Sequence, residues 1–272
     1  MTSSQKVIEG IRFIKKDKYA VCLIDSFSTE LKELISEHLS SICYGASKAS
    51  SKRKSYNYEN TLKEFLKRYE DKPDHTRIGM IGELITHVLI LELLTKFKTV
   101  SPYFNMEERS NKKGFDVVLT ADYDRELWIT EVKSGKKNDI NKTNSNNSQL
   151  LGRAKRDLKK RLNQAEASLW ENAINGADAV LDNYKDSKEA VRDILGDISD
   201  KTYEGYAISN DKNVLLVSAL FSSLNDEISE ESLKDYYHKT VNEMIFNDVM
   251  IFSIQKEMYE KVYKFLKKEA RK

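Results

Sequence analysis

The chain has 272 residues, 40% hydrophobic and 32% charged, with only 10 Gly and 2 Pro. That is enough apolar surface for a sizeable core, too little polarity for a disordered chain, and too few turn formers for an all-β barrel, so an α/β fold richer in helix than strand is expected. Its 45 basic and 43 acidic residues nearly cancel, so any electrostatic preference for a partner must be local. Cys22 and Cys43 lie outside any CxxC or Cys/His spacing, which excludes a disulfide framework and a finger-type zinc site and fits a reducing cytoplasm. The start MTSSQKVIEG lacks an apolar run, and the greasiest stretch, 85–94, is broken by His87 and Glu92, so neither a signal peptide nor a membrane span is expected.

In chain order, 18–25 (KYAVCLID) has the run of a short strand, and 29–42 carries Leu31, Leu34, Ile35 and Leu39 as a helical stripe. Residues 44–58 are Ser/Lys-rich without a period and predict a mobile loop within an amino-terminal extension, 1–75. A short helix over 61–69 ends at Lys72-Pro73, and 77–97 is apolar nearly all round, the pattern of a buried central helix. Two runs, 115–120 (FDVVLT) and 126–132 (ELWITEV), flank the polar ADYDR and predict an antiparallel hairpin, followed by a loop over 134–148. Residues 149–170 return to helical spacing with a basic periphery, while 214–221 and 249–254 read as buried strands beside helices near 229–247 and 256–270. The expected organisation is one domain, with a core over 76–272.

The charge is concentrated where the hairpin ends. Residues 133–161 contain ten Lys or Arg against Asp139 and Asp157, a net +8, leaving −6 for the rest of the chain. Lys136, Lys137, Arg153, Lys155, Arg156, Lys159 and Lys160 are the expected phosphate contacts to nucleic acid, since such contacts release condensed counterions. A solvated helix face is the plainer alternative.

Chemistry is expected on the hairpin. Strand alternation puts Ile129, Glu131 and Lys133 on one face and Trp128, Thr130 and Val132 on the other, and pairing around ADYDR brings Asp116 to the Glu131 end. Two carboxylates suit Mg²⁺ or Mn²⁺, with a backbone oxygen of Val132 completing the shell, and a lysine beside them orients water or offsets developing charge. Glu83, in GMIGELI, is a third acid that would be costly to bury unpaired, and Gly79 and Gly82 beside it predict close packing of that helix on the sheet. Plainer readings are a cross-strand ion pair for Glu131 and Lys133, a turn for Asp116, a bridge to Arg77 for Glu83, a core residue for His87, and packing for Trp128 and Trp170. No GxxxxGK[ST] or GxSxG segment is present, so ATP hydrolysis and serine nucleophile chemistry are not expected.

The order of Glu83 on a helix, Asp116 at a strand start and Glu131-Val132-Lys133 on the next strand resembles the PD-(D/E)xK nucleases. More narrowly, RIGMIGELITHVLI, GFDVVLT and LWITEVKSGK resemble the HamA family, nuclease subunits of Hachiman-type bacterial anti-phage defence. The resemblance implies a restriction-endonuclease-like core of mixed sheet and flanking helices, DNA as substrate, Mg²⁺ or Mn²⁺ as cofactor, and a superfamily 2 helicase, HamB, as controlling partner. It also implies that Asp116, Glu131 and Lys133 form the catalytic core, with Glu83 as the helix-borne acid and Asp116, Glu131, Val132 and Glu83 around the metal. Phe115 replaces the proline that often precedes the aspartate, and neither Gln149 (Arg153 four residues on) nor Gln164 (Ser168) matches the Gln/Tyr pair of the exonuclease branch. Cleavage polarity therefore stays open. A catalytically silent DNA-binding relative, a restriction or junction-resolving nuclease, and a regulatory module are the alternatives.

Overall fold

The computed structural model describes residues 6–104, 114–121, 124–138, 142–164, 166–257 and 259–272. Its strands are β1 (Ile11–Lys15), β2 (Tyr19–Ile24), β3 (Lys98–Thr99), β4 (Val117–Ala121), β5 (Glu126–Lys136), β6 (Asn213–Phe221) and β7 (Asp248–Gln255). They form one mixed sheet in the order β1-β2-β7-β6-β5-β4-β3. β2, β7, β6 and β5 run parallel, and antiparallel pairs close both edges. The helices are α1 (Thr29–Tyr44), α2 (Ala46–Ala49), α3 (Tyr58–Glu70), α4 (Asp74–Leu93), α5 (Thr143–Leu162), α6 (Ala167–Val180), α7 (Lys185–Tyr203), α8 (Glu230–Asn242) and α9 (Tyr259–Glu269).

Strand alternation divides the interior into two cores. Trp128, Val132, Leu215, Val217 and Phe252 meet α1, α3, α4 and α9 on one face of the sheet. Ile129, Leu216, Leu220 and Ile251 meet α5, α6, α7 and α8 on the other. The parallel strands are buried on both faces, which is why they read as continuous apolar runs rather than as alternating ones.

Three local features place the site. β4 pairs with β5 only from Val117↔Thr130 to Ala121↔Glu126, whereas β5 continues along β6 as far as Lys136↔Phe221. Beyond Thr130, β5 therefore has a strand neighbour on one side only among the described residues. α4 packs closely where this happens: a Cβ at Gly82 would lie 1.9 Å from Ser134 Oγ and 3.2 Å from Ala219 Cβ. Gly79 faces open space, so only one of the two glycines serves close packing. On the opposite face α5 is seated by Leu150, Leu151, Ala154, Leu158 and Leu162, all buried.

The expected strands and the central helix appear close to their expected bounds, but several elements differ. Residues 44–58, expected as a mobile loop, contain α2 and a 3-10 turn, Lys54–Tyr56. Ser47 is buried there and donates to Val180 O at 2.7 Å, an anchor 133 residues away that local composition does not reveal. The sequence pattern predicts no strand over 11–15, yet β1 forms there and with β2 brings the amino-terminal segment into the same sheet, where β2 lies beside β7. The loop over 134–148 is shorter than expected because β5 runs on to Lys136 and α5 begins at Thr143. Asp226 makes that early start favourable by accepting from both Thr143 N and Thr143 Oγ1, satisfying a helix terminus that a Ser/Asn-rich stretch would not hold alone. The run 149–170 is split between α5 and α6, and no described helix is long and apolar enough to cross a membrane. The Asn111-Lys112-Lys113 lead into Asp116 lies outside the described residues.

Candidate active site

Asp116 stands just before β4, level with Glu131 in the hairpin register. Its Oδ2 accepts a 2.8 Å hydrogen bond from Val132 N, which pins the acid at the point where β4 stops and β5 continues. Glu131 and Lys133 project from β5 on the side covered by α5, as strand alternation requires. Glu131 is fully buried. Its Oε1 accepts from Lys133 Nζ at 2.7 Å and from Arg161 Nη2 at 3.0 Å, while its Oε2 is buried with no hydrogen-bond partner among the described residues.

The electrostatics follow from this burial. Loss of solvent, reinforced by the Asp116 charge, pushes the Glu131 carboxyl up to about 7 against the opposing pull of Arg161 and Lys133. Burial acts to lower the Lys133 ammonium, but Glu131, Asp157 and Asp116 outweigh it and hold the group above its ordinary value. Lys133 Nζ also lies 2.9 Å from Asp157 Oδ2. Arg161 spans two elements, donating from Nη1 to Gly114 O at 2.8 Å as well as to Glu131.

Glu83 is half-buried on α4, one residue beyond the Gly82 contact with β5. Burial raises the Tyr103 hydroxyl well above its ordinary value, and the charges of Glu83 and Asp116 both add to that rise, placing the two acids in the electrostatic neighbourhood of one phenol. Arg77 bonds to the carbonyls of Tyr69 and Glu70 and lies 3.6 Å from Asp74. Among the described residues no three His, Cys, Asp or Glu converge as a metal-binding group. The donor set nonetheless fits a hard divalent ion, because Glu131 presents a buried oxygen that nothing described satisfies, with Asp116 fixed beside it by the Val132 amide. His87 is fully buried edge-on to Tyr103 at 5.8 Å, and Trp128, Trp170 and Cys22 are core residues.

The expected basic contacts divide into two groups. Lys136, Arg153, Lys155 and Arg156 line a cleft of about 870 Å³ together with Tyr236 and Lys239. This cleft begins beside the ExK strand: Gly135 sits two residues past Lys133 on the same face, and a Cβ there would lie 3.6 Å from Arg153 Nη2. Within it Lys155 is already paired with Glu243 at 2.7 Å. Lys137 is paired with Asp226 at 2.8 Å, and Lys159 and Lys160 are exposed farther along α5, outside the cleft lining. A second cavity of about 710 Å³ continues past Lys136 and Lys137 to Lys261 and Lys264.

Sequence reasoning missed Asp157, Arg161 and Lys239. Asp157 and Arg161 are four residues apart and so share a helix face, and an acid isolated in a basic helix was the available signal. Lys239 on α8 had none, since only the sheet brings it to α5. Compared with known protein families, residues 6–270 match the family model described as HamA, which spans nearly the whole chain. No curated protein sequence matches it.

Proposed function

The chain belongs to the HamA family, a component of Hachiman defence, and on that premise we propose that it is a metal-dependent DNA nuclease with a PD-(D/E)xK core and serves as the effector of an anti-phage system. The observation that carries this reading is Asp116 held level with Glu131 by the Val132 amide, with one Glu131 oxygen buried and unsatisfied and Lys133 on the same strand face.

Asp116, Glu131 and the Val132 carbonyl would hold Mg²⁺ or Mn²⁺, and Glu83, on α4 against the other face of the sheet, would act from outside that set. The bound ion would polarise the scissile phosphate and make water a better nucleophile. Lys133 orients that water and offsets negative charge as water adds to phosphorus and the bond to the leaving sugar oxygen breaks. The displaced water proton passes to solvent, and the leaving oxygen takes one up. Arg153, Arg156, Lys136 and Lys239 grip phosphates leading away from the cut. A superfamily 2 helicase such as HamB would supply control and any ATP-driven step.

The test is digestion of linear and circular DNA by the purified chain, with and without Mg²⁺ or Mn²⁺, beside the Glu131→Ala, Lys133→Ala double variant. Metal-dependent cleavage should fall by roughly 100-fold or more in the variant, and loss of the circular substrate identifies internal cutting. The pairing of Glu131 with Arg161 and the lack of a three-acid cluster among the described residues favour one second reading, a silent DNA binder. That reading requires duplex binding without cleavage, even with the partner helicase added.

A further inference from the structure

α5 presents to the ExK strand one charge of each sign, each matching in sign the ligand a nuclease site would take at that group. Arg161 brings a cation to Glu131 and reaches the carbonyl of Gly114, two residues before Asp116. Asp157, one turn earlier on the same helix face, brings an anion to Lys133. The two pairs thus occupy the group proposed to hold a divalent cation and the group proposed to meet a phosphate. Both fall on one face because residues four apart in a helix align.

We propose that Arg161 and Asp157 are a side-chain latch on this site, Arg161 standing in for the divalent ion at Glu131 and Asp157 for the substrate phosphate at Lys133. The proposal rests on the nuclease reading of Asp116, Glu131 and Lys133. Side-chain exchange, and not withdrawal of the helix, opens the latch. Ala154, Leu158 and Leu162 bury the helix backbone in the second core, whereas the Asp157 side chain is 52% exposed and that of Arg161 27%. Both can swing toward solvent while α5 stays seated. Arg161 must leave Glu131 before that carboxylate can give both oxygens to a cation, and Asp157 must leave Lys133 before the ammonium can face a phosphate.

The latch is tested by Mn²⁺ binding to the full chain, followed by the loss of the free-ion spin-resonance signal, a readout that needs no turnover. Arg161→Met keeps the aliphatic stem and removes the charge, and should tighten Mn²⁺ binding up to about fivefold, the effect of removing a competing ion pair. Arg161→Lys should stay near wild type. Asp157→Asn, at an exposed position, should raise metal-free affinity for a short DNA duplex several-fold while leaving the melting temperature nearly unchanged. Unchanged or weaker Mn²⁺ binding in Arg161→Met, with Glu131→Gln abolishing binding, would overturn the latch and leave the metal site standing. If Glu131→Gln binds Mn²⁺ as wild type does, the site reading fails and the latch with it. If wild type binds no Mn²⁺, its appearance in Arg161→Met supports the latch and its continued absence overturns it.

Discussion

Glu131 sits where a carboxylate is costly to charge: it is fully buried, and the cations that reach it share a single oxygen. The resulting rise of its carboxyl to about 7, from an ordinary 4.5, has a thermodynamic consequence. Between those values the folded state holds a proton on this carboxyl that the unfolded state releases, so the contribution of Glu131 to stability is fullest below about pH 4.5 and is lost as pH rises through about 7. Glu131→Gln cannot ionise and escapes that decline. With divalent ions chelated, it should match wild type near pH 4 and exceed it by about 1–3 kcal/mol near pH 8. Urea unfolding at the two pH values measures the difference, and a variant less stable than wild type near pH 8 would show that the ion pairs outweigh burial. Lys133, whose ammonium is held above its ordinary value by the surrounding acids, has the same sign of dependence in a more alkaline window, so it stays charged and its contribution stays constant over this range.

Two elements meet the sheet so tightly that single atoms decide their fit. On α4, a methyl group at Gly82 would collide with Ser134 and press on Ala219, whereas one at Gly79 would meet nothing. Gly82→Ala should therefore cost about 1–3 kcal/mol by displacing the helix from β5. Gly79→Ala should gain about 0.5–1 kcal/mol through helix propensity alone. Thermal melts of the two variants should move in opposite directions, and a shared direction would contradict the packing described. Because Glu83 is the next residue on α4, the proposed nuclease function predicts that Gly82→Ala also reduces cleavage where Gly79→Ala does not. α5 is held at its start by Asp226 and along its length by the second core, so its basic residues face the cleft from a fixed frame.

Over the whole molecule, an almost neutral chain concentrates a net excess of positive charge in residues 133–161. The cleft beyond the ExK strand collects Lys136, Arg153 and Arg156 from β5 and α5 and Lys239 from α8, while Lys137 and Lys155 are paired with acids. DNA affinity should fall steeply with salt. The combined Lys136→Ala, Arg153→Ala, Arg156→Ala variant should lessen the log–log slope by about 2–3, one increment for each lost phosphate contact. Lys137→Ala should change it little, because Asp226 already neutralises that lysine. Fluorescence anisotropy over a salt series distinguishes these outcomes, and equal slopes for the triple variant and wild type would remove the cleft from the DNA path.

The sequence by itself determined the α/β class, the hairpin, the central helix and the two late strands, because periodicity and apolar runs are local properties of the chain. It also placed Asp116 level with Glu131, since a hairpin register follows from its turn. Tertiary structure decided what local pattern cannot encode: that 44–58 takes up helical turns, anchored through Ser47 to Val180; that Gly82 and not Gly79 meets the sheet; and that β2 lies beside β7. It decided too which charges are spent. Lys137 and Lys155 look alike in the sequence, and only folding gives them Asp226 and Glu243 as partners. Hydrophobic spacing specifies an element, whereas the energy of a charge depends on which distant residues reach it and on how much water remains between them.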